Sequence, residues 1–131
     1  MNRLLDTSIC VPLINRSEPD LVDRLLSHKP GSVLLCSVVK AELHFGARNS
    51  ARVAENIDRV HRFCGAFESL PFDDAGAERY GSIRALLRRE GRPIGGNDML
   101  IAATALANDV TLVTRNLSEF RRVPELRVES W

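Results

Sequence analysis

Five polar residues whose side chains could bind a cation or a phosphate are spread over the whole chain. Asp6 follows the short apolar run RLL, and Glu42 lies within VVKAELHFGARN. Asp98 lies within IGGNDMLIAATALA, where small residues give way to an apolar helical pattern. Asn116 and Glu119 follow the apolar run VTLVT. Whether these residues act together depends on the elements of secondary structure that position them.

Short apolar runs alternate with amphipathic segments along the chain. We predict strands at 3–8, 32–37, 68–72, 110–114 and 126–130. We predict helices at 9–17, 18–29, 38–49, 51–67 and 73–91, and a further helix from residue 97 onward. This alternation predicts one α/β domain over residues 1–131, with a mainly parallel sheet that is covered by helices on both faces.

The predicted sheet brings the five polar residues to one edge. In a parallel sheet the helices begin at the edge where the strands end, and ligands bind at that edge. Asp6 follows the first strand, and Glu42 lies about one turn into the helix after the second strand. Asp98 lies in the first turn of its helix, and Asn116 and Glu119 follow the fourth strand. We therefore expect all five side chains near the carboxyl ends of the strands.

Each acid also has an ordinary structural explanation. Asp6 is a good N-cap for the helix that follows it, and Asp98 would favour the positive end of its own helix. Glu42 fits the rim of an apolar helical stripe, and Glu119 fits a solvated loop. Asp98, however, shares a helix face with Ile101 that should turn towards the core.

The acids are harder to explain as a group than one by one. Three or more carboxylates at a partly buried edge raise one another's pKa and cost stability unless positive charge lies between them. No lysine or histidine is placed to supply that charge, whereas a divalent cation would. Ligands that are all oxygen indicate Mg²⁺ or Mn²⁺ rather than zinc. Such an ion polarises a phosphoryl oxygen and lowers the pKa of bound water, so the pattern predicts metal-dependent phosphodiester hydrolysis without a nucleophilic side chain.

Composition excludes several other classes of protein. The chain has 131 residues, of which 44% are hydrophobic and 27% charged, as in an ordinary globular domain. The net charge of +1 gives no overall attraction to nucleic acid or membrane. We find no signal peptide and no apolar run long enough to cross a bilayer. Cys10, Cys36 and Cys64 form no C-x-x-C pair, so we expect buried thiols in a cytoplasmic protein.

Four segments resemble, in order and spacing, the motifs of PIN-domain ribonucleases: LLDTS, VVKAELHFGA, IGGNDMLIAATALA and TLVTRNLSEF. The resemblance runs from Arg3 to the C-terminal LRVESW, and it is closest to the VapC-type toxins of bacterial toxin–antitoxin pairs. It implies an α/β/α sandwich around a parallel sheet, and Mg²⁺-dependent cleavage of transfer or ribosomal RNA that inhibits translation and growth. It also implies a homodimer and a cognate VapB-type antitoxin whose tail covers the active site.

The resemblance assigns roles to the polar residues. Asp6, Glu42 and Asp98 match the acidic metal-binding triad of the family. Asn116 stands where many members have a fourth acid, which weakens the case for a tight second metal ion. Glu119 is a nearby candidate to supply the missing carboxylate, directly or through water. The resemblance thus implies catalysis by the triad together with Asn116, and leaves open whether one or two ions bind.

Further residues could support the reaction. Ser8 stands where many toxins of this family have Asn, and either side chain can orient a carboxylate. Thr114 could orient its surroundings in the same way. Arg84, Arg88 and Arg92 are spaced for a basic helical stripe that contacts RNA phosphates, although exposed arginines also occur on plain solvated faces. Few aromatic side chains are available to stack on bases, so we expect recognition of the RNA backbone and shape.

Two other functions deserve comparison. A catalytically degenerate PIN-like domain that only binds its partners would be consistent with Asn116. A phosphatase-like α/β domain would be consistent with the acid of DTS after the first strand, but haloacid-dehalogenase phosphatases need a second Asp where Ser8 stands. A response-regulator receiver domain would need a lysine late in the chain, and there is none beyond Lys40.

Overall fold

Five parallel strands form the centre of the structure, a computed structural model that describes all residues from 1 to 131. The strands are β1 (Arg3–Leu5), β2 (Val33–Cys36), β3 (Glu68–Leu70), β4 (Thr111–Val113) and β5 (Val128–Glu129). Their spatial order is β3-β2-β1-β4-β5, and every neighbouring pair is parallel. The predicted α/β fold with a mainly parallel sheet is confirmed. The chain order reverses between β1 and β4, which creates a crevice at their carboxyl ends.

Seven helices connect and cover the strands. They are α1 (Thr7–Asn15), α2 (Pro19–Leu26), α3 (Ser37–Arg48), α4 (Val53–Cys64), α5 (Asp74–Arg89), α6 (Gly96–Ala107) and α7 (Leu117–Phe120). Six of them match the predicted helices to within a few residues, whereas the single turn of α7 was not predicted. The predicted first strand is too long, because the chain leaves the sheet at Asp6 and begins α1 at Thr7.

The core lies on both sides of the sheet. Successive residues of a strand point to opposite faces, and all of β2 is at most 6% exposed, so helices cover both faces. Helix α6 has more buried residues than any other helix, and it buries Ile101, Ala102 and Ala105 completely. The three cysteines are buried free thiols, and burial raises the pKa of each. None of the helices combines the length and the hydropathy that crossing a bilayer requires.

The start of α5 provides a test of helix capping. The side chain of Asp73 accepts a hydrogen bond of 3.1 Å from the backbone N–H of Gly76. We expect Asp73→Ala to lower the free energy of unfolding by about 1 kcal/mol, and Asp73→Asn to lower it little, because asparagine caps equally well. Urea denaturation monitored by circular dichroism measures both changes. Equal losses in the two variants would show that the charge matters rather than the cap.

Candidate active site at the carboxyl edge of the sheet

Asp6 lies at the crevice between β1 and β4. It is only 2% exposed and occupies the N-cap position of α1, yet its side chain makes no capping hydrogen bond. Its Oδ2 atom instead accepts hydrogen bonds from the hydroxyls of Ser8, at 2.9 Å, and Thr114, at 2.7 Å. Capping therefore explains the position of Asp6 in the chain but not the orientation of its carboxylate.

The same two hydroxyls also hold the loop that follows β4. The backbone N–H of Arg115 donates to Ser8 Oγ at 3.1 Å, and that of Asn116 donates to Thr114 Oγ1 at 3.0 Å. Thr114 is fully buried, so its hydroxyl is fixed between a carboxylate and a peptide group. Asn116 is exposed at the start of α7, and its side chain does not cap that helix. The chain segments after β1 and β4 are thus joined through neutral hydrogen bonds.

Glu42 approaches the site from α3. It lies half-buried at the rim of a buried stripe that includes Val39 and Leu43, whereas Phe45 on the other flank of the helix is 68% exposed. The hydroxyl of Thr7 donates a 2.7 Å hydrogen bond to Glu42 Oε1. Sequence reasoning missed Thr7, although it is the first residue of α1 and directly follows Asp6, a position that faces the carboxyl edge of the sheet.

Asp98 and Glu119 meet at the start of α6. Asp98 is half-buried in the first turn, on the face whose Ile101 is fully buried. The helix is preceded by Gly95, whose backbone N–H donates a 2.9 Å hydrogen bond to Glu119 Oε1. A Cβ atom placed on Gly95 would lie 3.4 Å from Asp98 Oδ2 and 3.8 Å from Glu119 Oε1. The two carboxylates therefore lie against the same glycine.

The ionisation of Asp98 shows how close the acids are. The pKa of Asp98 is raised to about 7, first by burial, then by the charge of Glu119 and a hydrogen bond with it, and also by the charges of Asp6 and Glu42. The structure thus brings four of the predicted acids to one region. No group of three or more His, Cys, Asp or Glu side chains is drawn together as a ready metal-binding set. Asp6 and Glu42 are held by separate hydrogen bonds, whereas Asp98 and Glu119 are bonded to each other.

The chemistry of this cluster suits a hard divalent cation. Asp6, Glu42, Asp98 and Glu119 form no ion pair with any Arg, Lys or His side chain. Their donor atoms are all oxygens, which Mg²⁺ and Mn²⁺ prefer. A cation among them would favour the ionised form of Asp98, which the neighbouring charges oppose. The residues present therefore fit a metal ion of this class.

The predicted stripe of three arginines on one helix is wrong. Arg84 and Arg88 are exposed on α5, but the helix ends at Arg89. Gly91 then adopts a positive φ of 64°, and the exposed Arg92 follows in the connection to α6. Arg84 also donates a 2.9 Å hydrogen bond to the hydroxyl of Tyr80. The glycine turn, which helical spacing does not reveal, removes Arg92 from the stripe.

An acidic crevice at the switch point of a parallel α/β/α sheet is the arrangement that the resemblance to PIN domains implies. The family model described as PIN domain matches residues 3–126. The chain is 37% identical over 129 residues to the ribonuclease VapC2 of Rickettsia felis, with 98% of this chain and 96% of the relative covered. It is 37% identical over 128 residues to the tRNA(fMet)-specific endonuclease VapC of Shigella flexneri, with the same coverage of both chains.

Structural similarity agrees with these matches. A crystal structure of VapBC2 from Rickettsia felis, bound to a DNA fragment from its promoter, contains a chain that is 36% identical to this one, with a TM-score of 0.93. The alignment covers 100% of this chain and 99% of that one. The chain therefore belongs to the PIN-domain family, and within it to the VapC ribonucleases.

The raised pKa of Asp98 has a consequence for stability. In the folded protein this pKa is about 7 against an ordinary value of 3.8, so the folded state binds the proton more tightly than the unfolded chain does. The resulting stabilisation is present below about pH 4 and is lost as the pH rises through 7. We therefore expect Asp98→Asn to raise the free energy of unfolding in EDTA at pH 8, and to change it little at pH 4.

Urea denaturation at the two pH values measures this difference. Asp23→Asn is the matched control, because Asp23 is an exposed carboxylate on α2 without an ion pair. A stability difference between wild type and Asp98→Asn that is the same at both pH values would contradict the electrostatic explanation.

Proposed function

We propose that this chain is the toxin of a toxin–antitoxin pair, a divalent-metal-dependent endoribonuclease built as one PIN domain. The observation that carries this proposal is the cluster of Asp6, Glu42, Asp98 and Glu119 at the switch point, which has no cationic side chain in it. The printed names of its relatives, ribonuclease and tRNA(fMet)-specific endonuclease, support the proposal. A degenerate binding domain would not need four carboxylates in a region where their charges oppose one another.

Asp6, Glu42 and Asp98 would hold the ion, and we propose Mg²⁺, with Mn²⁺ as the substitute of the same oxygen chemistry. Glu119 would complete the set directly or through water, while Asn116 would contribute as a neutral group near the phosphate. When bound, the ion supplies an activated water molecule and neutralises charge that develops on the scissile phosphate. This division of roles requires no nucleophilic side chain.

The chain's own residues prepare the carboxylates for this role. Oδ2 of Asp6 and Oε1 of Glu42 and of Glu119 are each held by a neutral donor. The second oxygens of Asp6 and Glu42 have no hydrogen bond within the chain, whereas Glu119 is also hydrogen-bonded to Asp98. No buried side-chain oxygen lacks a partner, so these second oxygens reach the accessible side of the site. One oxygen of Asp6 and one of Glu42 are thus fixed, while the other oxygen of each stays available to a ligand.

Substrate and partner follow from the relatives. A transfer RNA is the first substrate that we propose, because the relative of Shigella flexneri is named as a tRNA(fMet)-specific endonuclease; ribosomal RNA is the second. Solved structures of similar chains are VapBC toxin–antitoxin complexes, which supports a VapB-type antitoxin as the partner. The homodimer stays a prediction.

The central test is the loss of cleavage when one carboxylate becomes an amide. We expect Asp98→Asn to lower the rate of cleavage of a labelled initiator tRNA transcript by about a hundredfold or more, comparable to removing one group that stabilises charge in the transition state. The variant should stay folded, because the amide relieves repulsion. Asp23→Asn serves again as the control. Cleavage by the wild type that persists in excess EDTA would remove the metal mechanism.

Expression in a bacterial host tests the biological role. We expect the wild-type chain, expressed alone, to arrest growth, and Asp6→Ala to relieve the arrest, because Asp6 anchors the carboxylate cluster at the crevice. Growth curves with matched expression levels, checked by immunoblot, measure the effect. If Asp6→Ala is as toxic as the wild type, ribonuclease activity is not the cause of toxicity.

A further inference from the structure

A groove leads away from the acidic cluster between α1, α3 and α4. Thr7 and Glu42 lie at one end of this groove, which has a volume of about 230 Å³. Its walls include the aliphatic side chains of Val11 and Leu43, and Arg59 lies at the other end. Ile14, Asn15 and Arg59 also line a wider groove of about 540 Å³, so the two grooves are adjacent at these residues, and the pair is called the channel below.

Arg59 is held in place without a negatively charged partner. Its guanidinium donates hydrogen bonds to the carbonyl oxygen of Ile14, at 2.8 Å, and to Asn56 Oδ1, at 3.4 Å. Neither Arg59 nor Arg16, which lines the wider groove, forms an ion pair with an acid, whereas Arg62 there pairs with Asp58. An oriented, uncompensated guanidinium in a groove is well suited to bind a phosphate.

The groove also has an open wall and a free hydrogen-bonding group. A Cβ atom placed on Gly46, in the interior of α3, would meet no atom within 4 Å. Alanine would favour the helix more than glycine does at such a position, so Gly46 keeps space beside the groove at a cost in helix stability. The exposed carboxamide of Asn15 forms no hydrogen bond within the chain, so its donor and acceptor are available to the edge of a base.

The dimensions and charges of the channel suit a nucleotide. Thr7 and Ile14 are separated by about 10 Å along α1, from the rise per residue of a helix. We propose that this groove binds the nucleotide next to the scissile phosphate of single-stranded RNA, with its base between the aliphatic walls and its phosphate on Arg59. This inference rests on the proposed ribonuclease function, and it makes Arg59, Gly46 and Asn15 positioning residues that influence which RNA is cut. Recognition of unstacked bases in this way is typical of proteins that bind single-stranded RNA.

Filling the groove is the first test. We expect Gly46→Leu to raise KM for a short mixed-sequence RNA oligonucleotide by about tenfold, because the leucine side chain would occupy the space of the base. A rise of this size is comparable to the loss of one strong contact. The melting temperature should not fall, because the added side chain enters open space. Gly81→Leu is the matched control: Gly81 is an exposed position within α5 where a Cβ atom also meets nothing within 4 Å.

Removing the charge is the second test. Glutamine keeps the start of the Arg59 side chain and a polar end without the charge, so Arg59→Gln should fold. We expect it to weaken binding of a fluorescent RNA oligonucleotide, measured by anisotropy in EDTA, and to reduce the salt dependence of log K by about one unit, as the loss of one phosphate contact does. Arg79→Gln on α5, which lines neither groove, should change neither quantity.

The outcomes separate this inference from the proposed function. If Gly46→Leu and Arg59→Gln bind and cleave RNA as the wild type does, the groove does not take substrate, and the ribonuclease function still stands. If Gly46→Leu keeps its affinity for RNA but loses binding of a purified VapB-type antitoxin, the groove is a protein-docking surface and the inference is overturned. Because anisotropy in EDTA needs no cleavage, it tests the groove even if the wild type cuts none of the RNAs.

Discussion

Repulsion between carboxylates is the constraint on which the site depends. Asp6, Glu42, Asp98 and Glu119 share one partly buried region, and the pKa of Asp98 is raised to about 7 by burial and by the other three acids. Hydroxyl and peptide N–H groups fix three of these acids, and such donors orient a carboxylate without neutralising it. Elsewhere the chain does neutralise acids: Arg115 binds Glu18 through two hydrogen bonds of 2.6 and 2.7 Å and lowers the pKa of that carboxyl. The negative charge of the site is therefore left available for a cation.

The strand order explains how residues far apart in the chain reach this region. Because β1 is central and pairs with both β2 and β4, the segments that follow these three strands leave the sheet side by side. Asp6 contributes the first carboxylate there, Glu42 comes from the helix after β2, and Thr114 directly follows β4. The ion pair between Glu18 and Arg115 joins the start of α2 to the loop after β4, so this edge is also held from outside.

Periodicity predicted most of this architecture, because core-facing residues recur at the spacing of the element that buries them. It located all five strands and six of the seven helices. The edge rule for parallel sheets selected five residues: Asp6, Glu42, Asp98, Asn116 and Glu119. Long-range hydrogen bonds lie outside such reasoning. The sequence predicted that Glu119 lies near the site, but not that the backbone N–H of Gly95, 24 residues away, holds it. The same holds for Thr7 and Glu42, which are 35 residues apart.

Stability for a site of this kind must come from the rest of the molecule. At a pH above the pKa of Asp98, repulsion within the cluster lowers the free energy of unfolding. A ligand that binds only the folded state raises the free energy of unfolding again. At the C-terminus, Glu129 accepts hydrogen bonds from Arg3 and from the indole of Trp131, at 2.9 and 2.7 Å. Trp131 also stacks on His28 with ring centroids 4.7 Å apart, so the segment after β5 packs against the segment after α2. These contacts involve none of the four carboxylates, so the chain can hold its sheet together while the charges at the crevice remain uncompensated until a cation binds.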